Sequence, residues 1–209
     1  MQRLLAPCAV LLAWLLPGPA VPQQFQGVPP PAPGRSALPA APLPGPQVLA
    51  ELRKGGYVIY FRHTSTDFSR DDTRSRSDDD CENQRPLTDK GRAEARAIGA
   101  AFRELKIPVA RVLASPWCRC VETASLAFGA AEISAPLANL FGRSEHRQKA
   151  VEELTAMVGE PRSGGNLVMV THGSTILALT RIPVNMGEIM VLTPLGEGRF
   201  ALAGRFAVP

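Results

Sequence analysis

The sequence predicts an α/β fold, a three-layer α/β/α sandwich with a mostly parallel central sheet. Three observations carry this expectation. Tyr57–Phe61 and Asn166–Thr171 are short and largely apolar, as buried strands are, and Ala110–Ala114 is a further short strand. Segments of helical length and period separate them. The resulting alternation of strand and helix is the order of parallel strands joined by crossover helices.

Taken in order, Val48–Arg53 reads as a short helix stopped by Gly55-Gly56. Tyr57–Phe61, "YVIYF", is the first strand. Thr64–Arg85 is a long polar loop, and its "RDDTRSRSDDD" reads as a solvated stretch without the ligand spacing of a calcium loop. Thr88 is an N-cap, Asp89 suits the positive helix end, and Ile98, Phe102 and Leu105 share one face of the helix that follows. Ala110–Ala114 is a strand, and Ser115-Pro116 reads as cap and first residue of a helix ending at Gly129. Arg143–Val158 is a further helix, Asn166–Thr171 a strand, and Thr175–Thr180 a short helix cut off before Pro183. "EIMVLTP" and "GRFALAGRFAV" close the chain as two strands joined near Gly196-Gly198.

The chain has 209 residues, 45% hydrophobic and 20% charged, with a formal charge of +4. That fits one globular domain with an appendage. The basic residues are scattered, with local runs only at Arg74/Arg76 and Arg143/Arg147. This argues against nucleic acid and suits a small anionic substrate. The N-terminal "MQR", the apolar run Leu4–Leu16 and Gly18-Pro19-Ala20 together read as a signal peptide over residues 1–20. Residues 21–46 are rich in Pro, Ala and Gly and read as a linker. Residues 47–209 form the catalytic domain. An exported protein results, with no membrane span after signal cleavage and with a compartment that permits a disulfide. Cys81, Cys118 and Cys120 allow one pair and one leftover thiol, and their spacing is not that of a zinc knuckle.

Ligands of parallel sheets bind beyond the carboxyl ends of the strands. Three such ends carry Arg62-His63, Ser115-Pro116 and Thr171-His172, and Arg119 lies one turn into the helix after the second. Two arginines and two histidines facing one crevice suit a tetrahedral dianion, and a neutral histidine beside bound phosphate is a nucleophile. Taken singly, each residue has a plainer explanation, such as an ion pair of Arg119 with Glu122 or Glu94. Their coincidence at strand ends is what points to a site. His146 lies in a polar helix start and reads as a surface residue.

"FRHTST" resembles the Arg-His-Gly-x-Thr signature of the histidine phosphatase (phosphoglycerate mutase-like) superfamily. "LTDKGRAEARAIG" resembles its Leu-Ser/Thr-x-x-Gly helix start, "LASPWCRCVETA" its Ser-Ser-Pro-x-x-Arg segment, and "VMVTHGSTILAL" the segment with the second histidine. The four occur in the family's order over most of Tyr57–Pro194. The resemblance implies an exported phosphatase that hydrolyses small phosphomonoesters through a phosphohistidine on His63. It implies Arg62 and Arg119 as phosphate ligands, His172 completing the pocket, Thr66 in support, and no metal or other cofactor.

Two departures bear on the reaction. Thr64 replaces the family's usual glycine, and Asn139 stands where many members carry the proton-donating glutamate. Asparagine is no acid. Asp67 is the first candidate donor, then Glu188 and Glu145. The alternatives are a weakly catalytic phosphate-binding module and a phosphatase for good leaving groups such as phosphohistidine. With the site so placed, a Cys81–Cys118 disulfide would pin the Thr64–Arg85 loop over it, Cys81–Cys120 being the rival pairing.

Overall fold

The computed structural model describes residues 45–141 and 144–207. The expected signal peptide, the linker through residue 44, and Arg143 lie outside the described residues. Five helices, α1 (Gly45–Leu52), α2 (Asp89–Glu104), α3 (Cys118–Phe128), α4 (Ser144–Gly159) and α5 (Gly173–Thr180), surround one sheet. Its six strands are β1 (Val58–Arg62), β2 (Val109–Ala114), β3 (Glu132–Ile133), β4 (Asn166–Thr171), β5 (Glu188–Gly196) and β6 (Arg199–Ala207).

The strand order is β3-β2-β4-β1-β5-β6. The first four strands are mutually parallel, and β5 and β6 pair antiparallel. The sheet is therefore mixed. The physical reason is the Gly196–Gly198 turn, with both glycines at positive φ, which folds the last two strands into a hairpin.

Side chains of β1 show why three layers form. Ile59 and Phe61 point to one face, where they meet Leu52 of α1, Phe102 of α2 and Ala124 of α3. Val58 and Tyr60 point to the other, against Leu154 of α4 and Ile176 of α5. Both faces are thus covered, and "YVIYF" is apolar throughout because a two-sided strand has no solvent side. At roughly 1.5–3 kcal/mol for each large apolar side chain, these two clusters are the main source of stability.

Most helix starts follow the sequence. Thr88 caps α2, its Oγ1 accepting from Gly91 N at 3.0 Å. Ser115-Pro116 does not start α3, which begins at Cys118 with Trp117 as N-cap. Ser115 stays in the extended line of β2, its N–H bonded to Val170 O at 2.9 Å, and its hydroxyl has another partner in the site. β3 has two exposed residues, too few for any periodic signal.

Candidate active site

β1 and β4 run side by side and end together, with Arg62 opposite Thr171. The ladder continues one bond further, from His63 N to Thr171 O at 2.9 Å. His63 and His172 thus leave adjacent strand ends, and their ring centroids lie 5.5 Å apart. His63 Nδ1 sits 2.9 Å from Thr64 O. A carbonyl only accepts, so Nδ1 carries the proton and Nε2 keeps its lone pair. Arg119 Nε donates to that Nε2 at 3.3 Å.

Arg119 is the hub. Its Nη2 lies 3.5 Å from His172 Nδ1, its Nη1 donates to Asp72 Oδ1 at 3.1 Å, and its guanidinium stacks over Trp117 at 4.5 Å. The ion pair expected of a surface arginine does not form: Glu122 holds Arg92, and Glu94 holds Ser65. His172 Nε2 meets Ser115 Oγ at 2.8 Å, which fixes the ring from the second strand end. Arg62 donates from Nη1 to Val184 O at 3.2 Å, and its side chain packs against Gly173, where a Cβ would stand 3.4 Å from Nη1.

His63, Arg119 and His172 are all nearly inaccessible to solvent. Burial first, then the charge of Arg119, pushes the His63 imidazole down to about 3. His172 is held well below its ordinary value by burial, then by His63 and Arg119. Both rings are therefore neutral at physiological pH, as a nitrogen nucleophile must be.

This carries a stability consequence. The unfolded histidines protonate near 6.5 whereas the folded ones resist, so between pH 6.5 and about 3 the unfolded state binds more protons. Stability is then full above pH 6.5 and falls as pH drops toward the folded value, by a total on the order of a few kcal/mol. Denaturant midpoints measured from pH 7 to 4 should fall more steeply in the wild type than in His63→Asn. Parallel lines would contradict this assignment of charge.

The loop after β1 closes over the site. Thr64, where glycine is usual, is accommodated: its Oγ1 meets Thr123 Oγ1 at 3.2 Å, and Thr123 bonds Arg119 O at 2.7 Å. Ser65 is clamped by Glu94 through both N and Oγ, and Ser65 O approaches Gly91 so closely that a Cβ there would stand 2.0 Å away. That is the physical content of the glycine in "LTDKG".

Further along, Cys81 and Cys118 form a disulfide that ties the loop to the first turn of α3. The rival partner Cys120 is free, buried, and its thiol is pushed up to about 12 by burial. Opening the disulfide by reduction or by Cys81→Ser should lower stability by about 2–4 kcal/mol. A denaturation curve with and without reductant reads this directly, and identical midpoints would show that the loop is held by its other bonds.

The same loop delivers two residues that sequence reasoning missed. Arg85 is half-buried, stacks over Phe68 at 4.4 Å, and its charge lowers the pKa of His63, His172 and Arg62. Asp72 accepts from both Arg119 and Arg85 N, the latter at 2.8 Å. The Nε atoms of Arg62 and Arg85 are buried and make no hydrogen bond among the described residues. A cleft of about 760 Å³ opens beside Arg119 and Arg85, lined also by Cys118, Asp78, Arg92 and Glu122.

Other expected site residues lie outside this network. Thr66 Oγ1 donates to Met186 Sδ at 3.7 Å. Asp67 accepts from Ser69 N at 2.9 Å, and the Ser69 bonds lower its pKa, which favours the ionised form over a proton donor. Glu188 is engaged by Arg205 and Asn185, and Glu145 is exposed beside His146. Asn139 Oδ1 accepts from Ser174 Oγ at 2.6 Å and braces the start of α5. Among the described residues, no group of three or more His, Cys, Asp or Glu forms a metal site, and no helix is long and apolar enough to cross a membrane.

Comparisons with known proteins bear on the fold. Residues 58–140 match the family model of the histidine phosphatase superfamily (branch 1). No curated protein matches the chain. Among solved structures, the protein histidine phosphatase SixA complexed with tungstate is 19% identical, with a TM-score of 0.53 over 72% of this chain and 96% of that one. The product of the open reading frame Rv3214 from Mycobacterium tuberculosis is 18% identical, with a TM-score of 0.53 over 73% of this chain and 98% of that one. TTHB049 from Thermus thermophilus is 20% identical, with a TM-score of 0.50 over 72% of this chain and 99% of that one. At these identities the likeness is one of fold.

Proposed function

We propose that the chain is an exported phosphatase of the histidine phosphatase superfamily, whose family model matches residues 58–140, and that it hydrolyses small phosphomonoesters through a phosphohistidine on His63. The observation that carries the reading is the reach of Arg119 to both His63 and His172. One planar cation bridges the nucleophile and the second imidazole, so a phosphoryl group bound there lies within reach of both.

His63 Nε2 attacks phosphorus in line and the ester oxygen leaves. Water then attacks the phosphohistidine, and the P–N bond breaks to return Nε2. Arg62, Arg85 and Arg119 balance the charge of the phosphoryl oxygens, the free Nε atoms of the first two supplying donors. His172 donates to a non-bridging oxygen once the bound dianion lets its ring take a proton. The sequence of residues 1–20 supports export. The similarity to SixA, a protein histidine phosphatase, supports extending the substrate class to phosphohistidine-like groups, whose good leaving group needs less help from an acid.

Asn139 favours a second reading, a phosphate-binding module without useful turnover. The two separate in one experiment. Equimolar release of phosphate and 4-nitrophenol from 4-nitrophenyl phosphate supports the phosphatase. Tight binding of vanadate with no release across a panel of phosphate esters supports the module.

A further inference from the structure

We propose that Asp72 is the carboxyl group that handles the proton of the leaving group, and that in the free enzyme Arg119 holds it in reserve. The proposal rests on the phosphatase reading above. Among the described residues, Asp72 is the carboxylate bonded to the buried arginine that bridges the two histidines. Asp67, Glu188 and Glu145 all have partners elsewhere. Asp72 is also placed with care: Arg85 N binds the same oxygen, and the disulfide at Cys81 tethers the loop.

The geometry dictates what substrate does to this carboxylate. Asp72 Oδ1 occupies Arg119 Nη1, one of the donors a phosphoryl oxygen would take. A bound dianion therefore displaces Asp72 and puts two negative charges beside it. The tethers keep the carboxylate close, so its surroundings change from a guanidinium to an anion. A carboxyl group facing a phosphate oxygen is stable there only when it carries a proton to share. The charged groups facing it are Arg119 from α3 and Arg85 from its own loop, with His63 and His172 behind Arg119.

The steps balance. The His63 Nε2 lone pair forms the P–N bond, the P–O bond breaks, and its electron pair takes the proton from Asp72, releasing the alcohol. The Asp72 carboxylate then accepts a proton from the attacking water as the P–N bond breaks and its electrons return to Nε2. The sum is ester plus water to alcohol plus phosphate.

Asp72→Asn tests this with two substrates in the full chain. Relative to wild type, kcat on an alkyl phosphate should fall about 10²–10³-fold. On 4-nitrophenyl phosphate, whose phenolate leaves unaided, it should change by only a few-fold. Asp67→Asn should leave both unchanged. Equal losses on the two substrates would mean that Asp72 only positions Arg119, and no loss on either would mean that it does nothing; each result overturns the proposal. A second readout does not depend on turnover. Calorimetric titration with inorganic phosphate, in two buffers of different ionisation enthalpy, should show about one more proton taken up by wild type than by Asp72→Asn. Equal uptake overturns the proposal. His63→Ala, by contrast, should abolish turnover on both substrates, so full activity in that variant contradicts the phosphohistidine on His63 and leaves the Asp72 result to be judged by proton uptake.

Discussion

His63→Ala should lower kcat by on the order of 10⁴-fold or more on every phosphate ester, whatever its leaving group. The size follows from the role. Without Nε2 there is no covalent intermediate, and water in the same position would have to attack phosphorus directly. The fold should survive, because the alanine removes a ring whose backbone N–H, bonded to Thr171 O, remains in place. Vanadate binding should weaken far less than kcat, since Arg62, Arg85 and Arg119 persist. Steady-state kinetics with 4-nitrophenyl phosphate, alongside a vanadate titration, separates lost chemistry from lost binding.

Arg119→Ala should be the second largest effect, about 10³-fold on kcat/KM with a further loss of stability. Removing one preorganised donor in a dry site costs about 10²–10³-fold, and Arg119 supplies more than one. Breaking a buried charged contact costs roughly 3–5 kcal/mol where both partners are buried; Asp72 is partly exposed, so the lower end applies. Arg119→Lys should recover little activity. A single ammonium cannot reach His63, His172 and Asp72 at once, whereas the planar fork does. Activity of the lysine variant within a few-fold of wild type would show that only charge is needed at this position.

The legible parts of the fold were those in which local pattern and tertiary demand agree. "VIYF" and "NLVMVT" are largely apolar because both faces of the sheet are covered, and all of their residues are buried. Thr88 capped its helix because nothing competes for its hydroxyl on the helix side. Ser115 is not the cap of α3: its hydroxyl accepts from Trp117 N ahead of the first turn and also meets His172, a contact 57 residues away in sequence that no local rule can see. The gathering of Arg62, His63 and His172 was readable from strand ends, since a parallel sheet brings those ends together, and Arg119 joins them from the first turn of α3. Arg85 and Asp72 were not, because they lie in a polar loop where periodicity is silent. Their place depends on a disulfide and on bonds to Arg119. Asp67 drew attention through nearness to His63 in sequence, but its backbone turns it toward Ser69.

Cys81–Cys118 links these two levels. The pairing ties the acid-rich loop to the first turn of α3, next to the arginine at the centre of the site. A loop that would otherwise be solvated thereby contributes a carboxylate and a guanidinium to a buried cluster. Asn139, for its part, is occupied with Ser174 and supports the start of α5.

The central claim is a covalent phosphohistidine on His63. Rapid quenching of the wild type during turnover, under alkaline conditions that preserve phosphoramidates, followed by peptide mass spectrometry, tests it most directly. The account predicts a phosphoryl group on the peptide carrying His63, acid-labile and absent from His63→Ala. A phosphoryl group on His172, or steady turnover with no phosphorylated peptide at any quench time, would contradict it.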